Sequence, residues 1–372
     1  MNGAHQTEGI SQTSAAGQKQ PRVSWDLGTA YDFFISLEVI LQPEHYGLRA
    51  SWAAGVRSRL QPEERKFLDE LHNDLPLPLH WVHSLPNPKD ADTALWALRR
   101  IPAAERPLVL FNECEACGDT ASIVKKVVEQ RSWDEADLDS IGVCYAEHGK
   151  KTIGAKEIAG FLSWMARPDE YGEIYLSLMQ TYYQAFFAEE EKRIAPILRD
   201  GLANAQDLSR QMPLHELLVE LTQGVHFEEP FDVSELVLVP GYWNTPYVIF
   251  PKIAPDTMLM VFGVRPANLS LVPGEQVPDA LLLALKAIAD PTRLKILRYL
   301  SHESLTPAQI ARRLRLRAPT VTHHLTALRL AGLVYLSLDV GEERHYTARL
   351  EAIHSTYSNL MDFLTENGKP EK

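Results

Sequence analysis

Arg312, Arg313, Arg315 and Arg317 set four guanidinium groups within six residues. A guanidinium is always charged and matches phosphate oxygens in a planar fork, so this spacing suits a nucleic-acid backbone. Taken alone, the same run also describes a solvated helix face. Thr320, Thr322 and His323 follow closely. Small polar side chains at the exposed start of a helix suit hydrogen bonds to base edges. A second group is the CxxC of Cys114 and Cys117, with Cys144 and His148 further on. Three thiolates and an imidazole suit tetrahedral Zn²⁺. The alternative is three small buried hydrophobes and a surface histidine, and Glu113, Glu115 and Asp119 oppose thiolate formation in the metal-free state. Apart from this zinc, no cofactor is expected. Trp164, Tyr171, Tyr175, Tyr182, Tyr183, Phe186 and Phe187 form a dense aromatic set, read as core packing or as an apolar effector pocket. Nucleophile elbow, P-loop, dinucleotide glycine fingerprint and HExxH are all missing. No catalytic constellation can be named, and the chain is not read as an enzyme.

The elements that must hold these groups are legible at their ends. Asp290-Pro291 is an N-cap with proline at N1, and Leu294, Ile296, Leu297 and Leu300 give the helix it opens a buried side. Thr306-Pro307-Ala308-Gln309 is a capping box opening a short helix with Ile310, Ala311 and Leu314 inward. A tight turn at Arg315-Leu316-Arg317 leads to a helix whose Val321, Leu325 and Leu328 repeat at i, i+4, i+7. That spacing turns Thr320, Thr322 and His323 outward and leaves His324 half-buried. Arg293 fits either a structural role or a phosphate contact. Beyond Gly332, the runs Val334–Leu338 and Arg344–Thr347 flank Val340-Gly341-Glu342-Glu343 and read as a β-hairpin. The sum is a winged helix-turn-helix.

Upstream, Val23–Leu27 alternates as a short strand, and Thr29–Leu41 reads as a buried helix. Residues 48–106 read as short helices cut by prolines. Helical spacing returns at 119–131 and 155–166, with Ile158, Phe161, Leu162 and Met165 on one face. The longest helical stretch, 172–212, should kink or split at Pro196. Leu236–Val239, Tyr247–Phe250 and Met258–Phe262 are short apolar runs separated by turn residues, and they predict a three-stranded antiparallel meander.

Composition sets the frame. With 45% hydrophobic and 23% charged residues in 372, the balance is that of a globular protein of two or three domains. No apolar run approaches the roughly 18 residues that a membrane span needs. The first twenty residues lack an apolar h-region, so no signal peptide is read. The three cysteines form no disulfide framework and fit a reducing cytoplasm. The net charge of −12 is uneven: residues 280–349 hold 11 Lys and Arg against 5 Asp and Glu, while residues 1–279 hold 24 against 40. A basic block on an acidic body is the asymmetry of a nucleic-acid module joined to something else.

Four ordered stretches resemble the ArsR/SmtB family of bacterial repressors: 287–297 (AIADPTRLKIL), 318–325 (APTVTHHL), 328–334 (LRLAGLV), and the wing ending at His345-Tyr346. More weakly, Leu236–Pro240 and the following strands are similar to an extra N-terminal domain found in a subset of these regulators. The resemblance implies a homodimer that binds double-stranded DNA and represses transcription, with contacts from Arg313, Arg315, Arg317, Thr320, Thr322, His323 and Arg344. Two departures stand out. Arg317 occupies a position where the family often has a capping serine, losing about 1 kcal/mol of cap while offering a phosphate contact. The wing tip carries Glu342 and Glu343, near Asp339, which DNA repels. The module also lacks the family's metal-sensing cysteine pair, and its last helix offers only Glu351, His354 and Asp362.

The expected fold is α+β and mostly helical. A polar, disordered tail covers residues 1–20. An N-terminal sensor or dimerisation domain with a small antiparallel sheet covers 21–267. A linker at 268–277 leads to the winged helix-turn-helix at 278–365. Helices 278–289 and 351–365 carry more apolar residues than one small domain buries (Leu281, Leu282, Leu285, Ile353, Tyr357, Leu360, Met361, Phe363, Leu364) and should pair across a dimer axis. The expected function is sequence-specific transcriptional repression in the cytoplasm, with an N-terminal domain that either senses a small-molecule effector or supports dimerisation. The competing readings are an enzyme-like small-molecule- or metal-binding domain fused to a DNA-binding module, and a protein-interaction platform.

Overall fold

The structure, a computed structural model, describes residues 21–71, 77–115, 118–147, 154–227, 231–266, 269, 271, 277–338 and 344–365. It is α+β and mostly helical. Strand β1 (Arg22–Trp25) precedes ten helices: α1 (Thr29–Leu41), α2 (Ala50–Arg57), α3 (Pro62–Glu70), α4 (Leu79–Ser84), α5 (Ala91–Arg100), α6 (Arg106–Leu110), α7 (Thr120–Gln130), α8 (Glu135–Glu147), α9 (Ala155–Met165) and α10 (Pro168–Tyr182). A π-helical turn, Tyr183–Phe187, joins α10 to α11 (Ala188–Ser209). Next come α12 (Leu214–Leu221), β2 (Val225–Phe227), β3 (Glu235–Gly241), β4 (Lys252–Ala254) and β5 (Thr257–Gly263). The chain ends in α13 (Asp279–Ile288), α14 (Pro291–Leu300), α15 (Pro307–Leu314), α16 (Ala318–Leu330), β6 (Val334–Leu338), β7 (Arg344–Ala348) and α17 (Leu350–Thr365).

The first sheet has the order β1-β3-β5-β4 and is mixed. β1 and β5 both run parallel to β3, and only β4 is antiparallel, pairing with β5. The expected antiparallel meander is therefore wrong. Tyr247–Phe250 forms no strand and contributes one antiparallel bridge, Ile249 to Val261. The side-chain alternation explains why. Val237, Val239, Leu259 and Val261 enter the large helical core, while Leu236, Leu238, Met260 and Phe262 enter a smaller core with Leu217, Leu218 and Leu221 of α12. Both faces are covered, and strands covered on both faces read as continuous apolar runs, a mark of parallel pairing.

The aromatic set belongs to the large core: Trp164, Tyr171, Tyr175, Tyr182 and Phe187 are buried, with Tyr183 and Phe186 packed against them. Pro196 lies inside α11 and does not split it; the helical irregularity is the π turn upstream. Leu271, within the expected linker, is buried in the large core. Asp32 of α1 is fully buried and accepts hydrogen bonds from the Tyr242 and Trp243 backbone N–H groups at 2.9 and 2.7 Å. Burial pushes its pKa up to about 7, against the lowering effect of those bonds.

The C-terminal elements enclose a third core, built on Ile296, Leu300, Ile310, Val321, Leu325, Leu328 and Val334. Leu294, expected inward, is 47% exposed. At about 100° per residue, Ile296, Leu297 and Leu300 already span the buried arc, and residue 294 falls about 60° past its edge. In α13, Leu281 is buried within the chain rather than left for a partner. The apolar surplus lies on the last helix: Leu350, Tyr357, Met361, Phe363 and Leu364 are exposed, Tyr357 by 64% and Leu364 by 66%.

Candidate nucleic-acid interface

The reading head is built from caps upward. Asp290 accepts from the N–H groups of Thr292 and Arg293, both at 2.8 Å, and starts α14. Arg293 then donates from Nε to the Ala287 carbonyl and from Nη2 to the Lys286 carbonyl, at 3.1 and 2.9 Å. It closes the C-terminal end of α13, so its role is structural. The Thr306 capping box forms in both directions, at 3.3 and 2.9 Å, and starts α15. Arg315 ends α15 in the left-handed region at φ 54°, which turns the chain sharply into α16. Arg317 is the N-cap of α16 and makes no side-chain cap bond, as the sequence implies.

Val321, Leu325 and Leu328 seat α16 on the core. Thr320, Thr322 and His323 are exposed, and His324 is half-buried. His323 points farthest from the buried arc. Thr320 and Thr322 flank it, at roughly 60° and 100° around the helix. The Thr322 hydroxyl donates to the Ala318 carbonyl at 3.1 Å, so that proton is engaged within the helix. Arg312, Arg313, Arg315 and Arg317 are all exposed beside this surface. Arg313 is held by both carboxylate oxygens of Glu303 and lies over the Tyr299 ring, with its guanidinium 5.7 Å from the centroid. A phosphate must compete with Glu303 for it. Arg344 is exposed at the start of β7, opposite Leu338 of β6. The tip, including Asp339, Glu342 and Glu343, lies outside the described residues.

Two features of this head escaped the sequence reading. The hairpin β6–β7 is extended by β2, which runs parallel to β6 with Val225 opposite Leu336. On the other side, Leu305 and Tyr346 exchange two backbone hydrogen bonds at 3.0 and 2.9 Å. Second, Arg329 of the reading helix is only 7% exposed. It donates from Nη1 to the Gln223 carbonyl at 3.1 Å and from Nη2 to the Thr222 carbonyl at 3.2 Å. Burial lowers its pKa. Arg329, Gln223 and Gly224, whose left-handed φ of 97° packs it against the Tyr335 ring, form a clasp between the N-terminal body and the reading helix. A signal existed: residue 329 is i+4 from Leu325 and i+8 from Val321, so it falls on the inward arc, where a cation requires a partner.

Of the four proposed metal ligands, Cys117 and His148 lie outside the described residues. Cys114 is exposed and free, whereas Cys144 is buried and disulfide-bonded, contrary to the expectation of reduced thiols. A disulfide withholds that sulfur from a metal ion. Among the described residues no cluster of three His, Cys, Asp or Glu groups could hold one, and no helix is long and apolar enough to cross a membrane.

A helix, a tight turn, a second helix presenting polar side chains and a flanking hairpin define a winged helix-turn-helix. Residues 290–335 match the family described as bacterial regulatory protein, arsR family. The chain carries an ArsR-family DNA-binding transcriptional regulator domain near its C-terminus, preceded by a large N-terminal region. It is similar to the transcriptional repressor SdpR of Bacillus subtilis (strain 168), 28% identical over 81 residues that cover 22% of this chain and 89% of SdpR. Two solved structures are also similar. One is an ArsR family transcriptional regulator, at 22% identity and TM-score 0.21, covering 25% of this chain and 98% of that one. The other is NolR from Sinorhizobium fredii, at 22% identity and TM-score 0.21, covering 27% and 99%.

Proposed function

We propose that the protein is a homodimeric, sequence-specific repressor whose N-terminal body adjusts how its two winged heads address DNA. The carrying observation is the exposed set of Arg315, Arg317, Thr320 and His323 on the turn and outer face of α16, within the arsR-type domain. Arg315 and Arg317 contact phosphates, joined by Arg313 once released from Glu303, and by Arg344 from the wing. Thr320, Thr322 and His323 read base edges. The exposed apolar residues of α17 support pairing of two chains, since an exposed apolar patch of this kind is a usual mark of an interaction surface. Two-fold symmetry then predicts a palindromic operator with half-sites about one helical turn, or a multiple, apart. The net negative body must lie away from the DNA-facing side.

The test is a salt series of gel shifts on operator DNA selected from random sequence. Binding should weaken with a log–log slope of about −0.9 for each phosphate neutralised. Arg317→Ala should weaken all sequences alike, while His323→Ala and Thr320→Ala should also reduce discrimination between operator and random DNA. Binding that is indifferent to salt refutes this reading.

A further inference from the structure

A cleft of about 750 Å³ opens between the carboxyl end of β1, the 87–90 loop and α11, with no residue of α16 in its lining. The carboxyl ends of parallel strands are where open sheets receive ligands, and the volume suits a small organic molecule. One wall is apolar: Trp25, Leu27, Pro88, Ala195, Leu198 and Leu202.

The polar groups decide what fits. Three carboxylates line the cleft, and each is already engaged. Asp26 accepts from the Tyr31 hydroxyl at 2.6 Å, from the Leu27 N–H at 2.8 Å, and from Lys89, with His83 Nδ1 3.0 Å away. Asp90 accepts from the Thr93 N–H at 2.8 Å. Glu191 accepts from the Thr29 hydroxyl at 2.5 Å and the Ala91 N–H at 2.9 Å. The cations differ. Lys89 is tied to Asp26 and the His83 carbonyl, and Lys192 pairs at the surface with Glu189. Arg199 is exposed on the rim and has no ion pair or hydrogen bond among the described residues. The lining is charge-balanced, three carboxylates against Lys89, Lys192 and Arg199, and the Arg199 guanidinium is the cation left without a bonded partner among the described residues. A Cβ on Gly28 would lie 2.4 Å from the Lys89 carbonyl oxygen, so the backbones touch there.

We propose that this cleft is a binding site for an amphipathic organic anion, its apolar body against Trp25 and Leu198 and its charge on Arg199. The site also has a route to the DNA-reading head. The wall residues Ala195 to Gln206 belong to α11, whose Ala205 packs with Leu217, Leu218 and Leu221 of α12. Helix α12 runs into Thr222 and Gln223, the two carbonyls held by Arg329. A ligand that reseats α11 thus bears on the reading helix, so occupancy changes operator affinity. This second half rests on the proposed function; the binding half does not.

The test uses the full chain with two probes, 8-anilinonaphthalene-1-sulfonate and its neutral counterpart N-phenyl-1-naphthylamine. The sulfonate should bind saturably, one per chain, and about tenfold more tightly than the neutral dye, as expected for a charge-assisted contact. Arg199→Glu, a surface change that leaves the core intact, should erase that tenfold preference. Ala195→Trp, which fills the cleft, should abolish binding of both dyes while the circular dichroism spectrum is kept. Equal binding of the two dyes, or sulfonate binding unaltered in Arg199→Glu, overturns the proposal, because the probe then sits on an apolar face such as that of α17. Gel shifts with and without the sulfonate read the regulatory half. Failure of the ligand-free chain to shift operator DNA would sink the proposed function and leave the dye titration readable. An unchanged shift at saturating sulfonate would sink the coupling alone.

Discussion

Replacing Arg329 by Met should weaken the hold of the body on the winged head without touching the exposed face of α16. The change removes two hydrogen bonds from a buried guanidinium to the carbonyls of Thr222 and Gln223. Bonds from a charged donor contribute about 1.5–3 kcal/mol each. Relief of burying the cation offsets part of this, and Arg349 Nη1, 3.4 Å from the Gln223 oxygen, retains some of the rest. A net loss of about 2–4 kcal/mol remains. All seven tryptophans lie at or before Trp243, so tryptophan fluorescence reports the body alone and far-ultraviolet circular dichroism reports the whole chain. In urea, with m near 1–2 kcal/mol/M for a head of this size, the head of the Met variant should unfold roughly 1–4 M earlier. Ellipticity should then fall before the fluorescence changes. Arg317→Met is the control, because Arg317 is exposed and caps nothing with its side chain. It should keep native stability and lose DNA affinity. If the two variants unfold alike, within about 0.5 kcal/mol, the clasp does not hold the head and the argument fails.

Burial raises the Asp26 pKa, but its bonds to His83, Lys89 and Tyr31 outweigh this and bring it down from 3.8 to about 2. A depressed carboxylate stabilises the fold above its unfolded pKa, so about 2 kcal/mol should be present above pH 4 and be lost as pH falls toward 2. Acid unfolding of Asp26→Asn should lack that part of the slope, and an unchanged slope would contradict the assignment. If two chains pair through α17 as proposed, Tyr357→Asp combined with Leu364→Asp should leave a monomer by light scattering and weaken operator binding at least about tenfold through lost avidity; a dimer that survives both changes does not pair through α17. Because Cys114 is the free cysteine among the described residues, thiol titration of protein denatured without reductant should count one thiol, and after reduction all three cysteines; three thiols at the outset would mean that no disulfide forms in solution.

Local chemistry determined the reading head from sequence. Asp290 and Thr306 announce two helix starts through donors two or three residues away, and the i, i+4, i+7 set of Val321, Leu325 and Leu328 turns His323 outward. Caps and helical faces depend on neighbours within one or two turns, so a single chain suffices to read them. The same period, applied to Leu294, overreached by one residue because the buried arc was already full. Tertiary structure decided everything that depends on which distant segments meet. Leu236–Val239 and Met258–Phe262 are equally compatible with an antiparallel meander and with parallel strands covered on both faces; only the packing of α12 against one face and the helical body against the other separates them. Arg329 meets Gln223 across 106 residues, β2 joins the wing in the same way, and the cleft forms where β1 meets α11. No period or cap marks such pairings, because their free energy comes from burying surfaces and polar groups that are remote along the chain and adjacent only once it has folded.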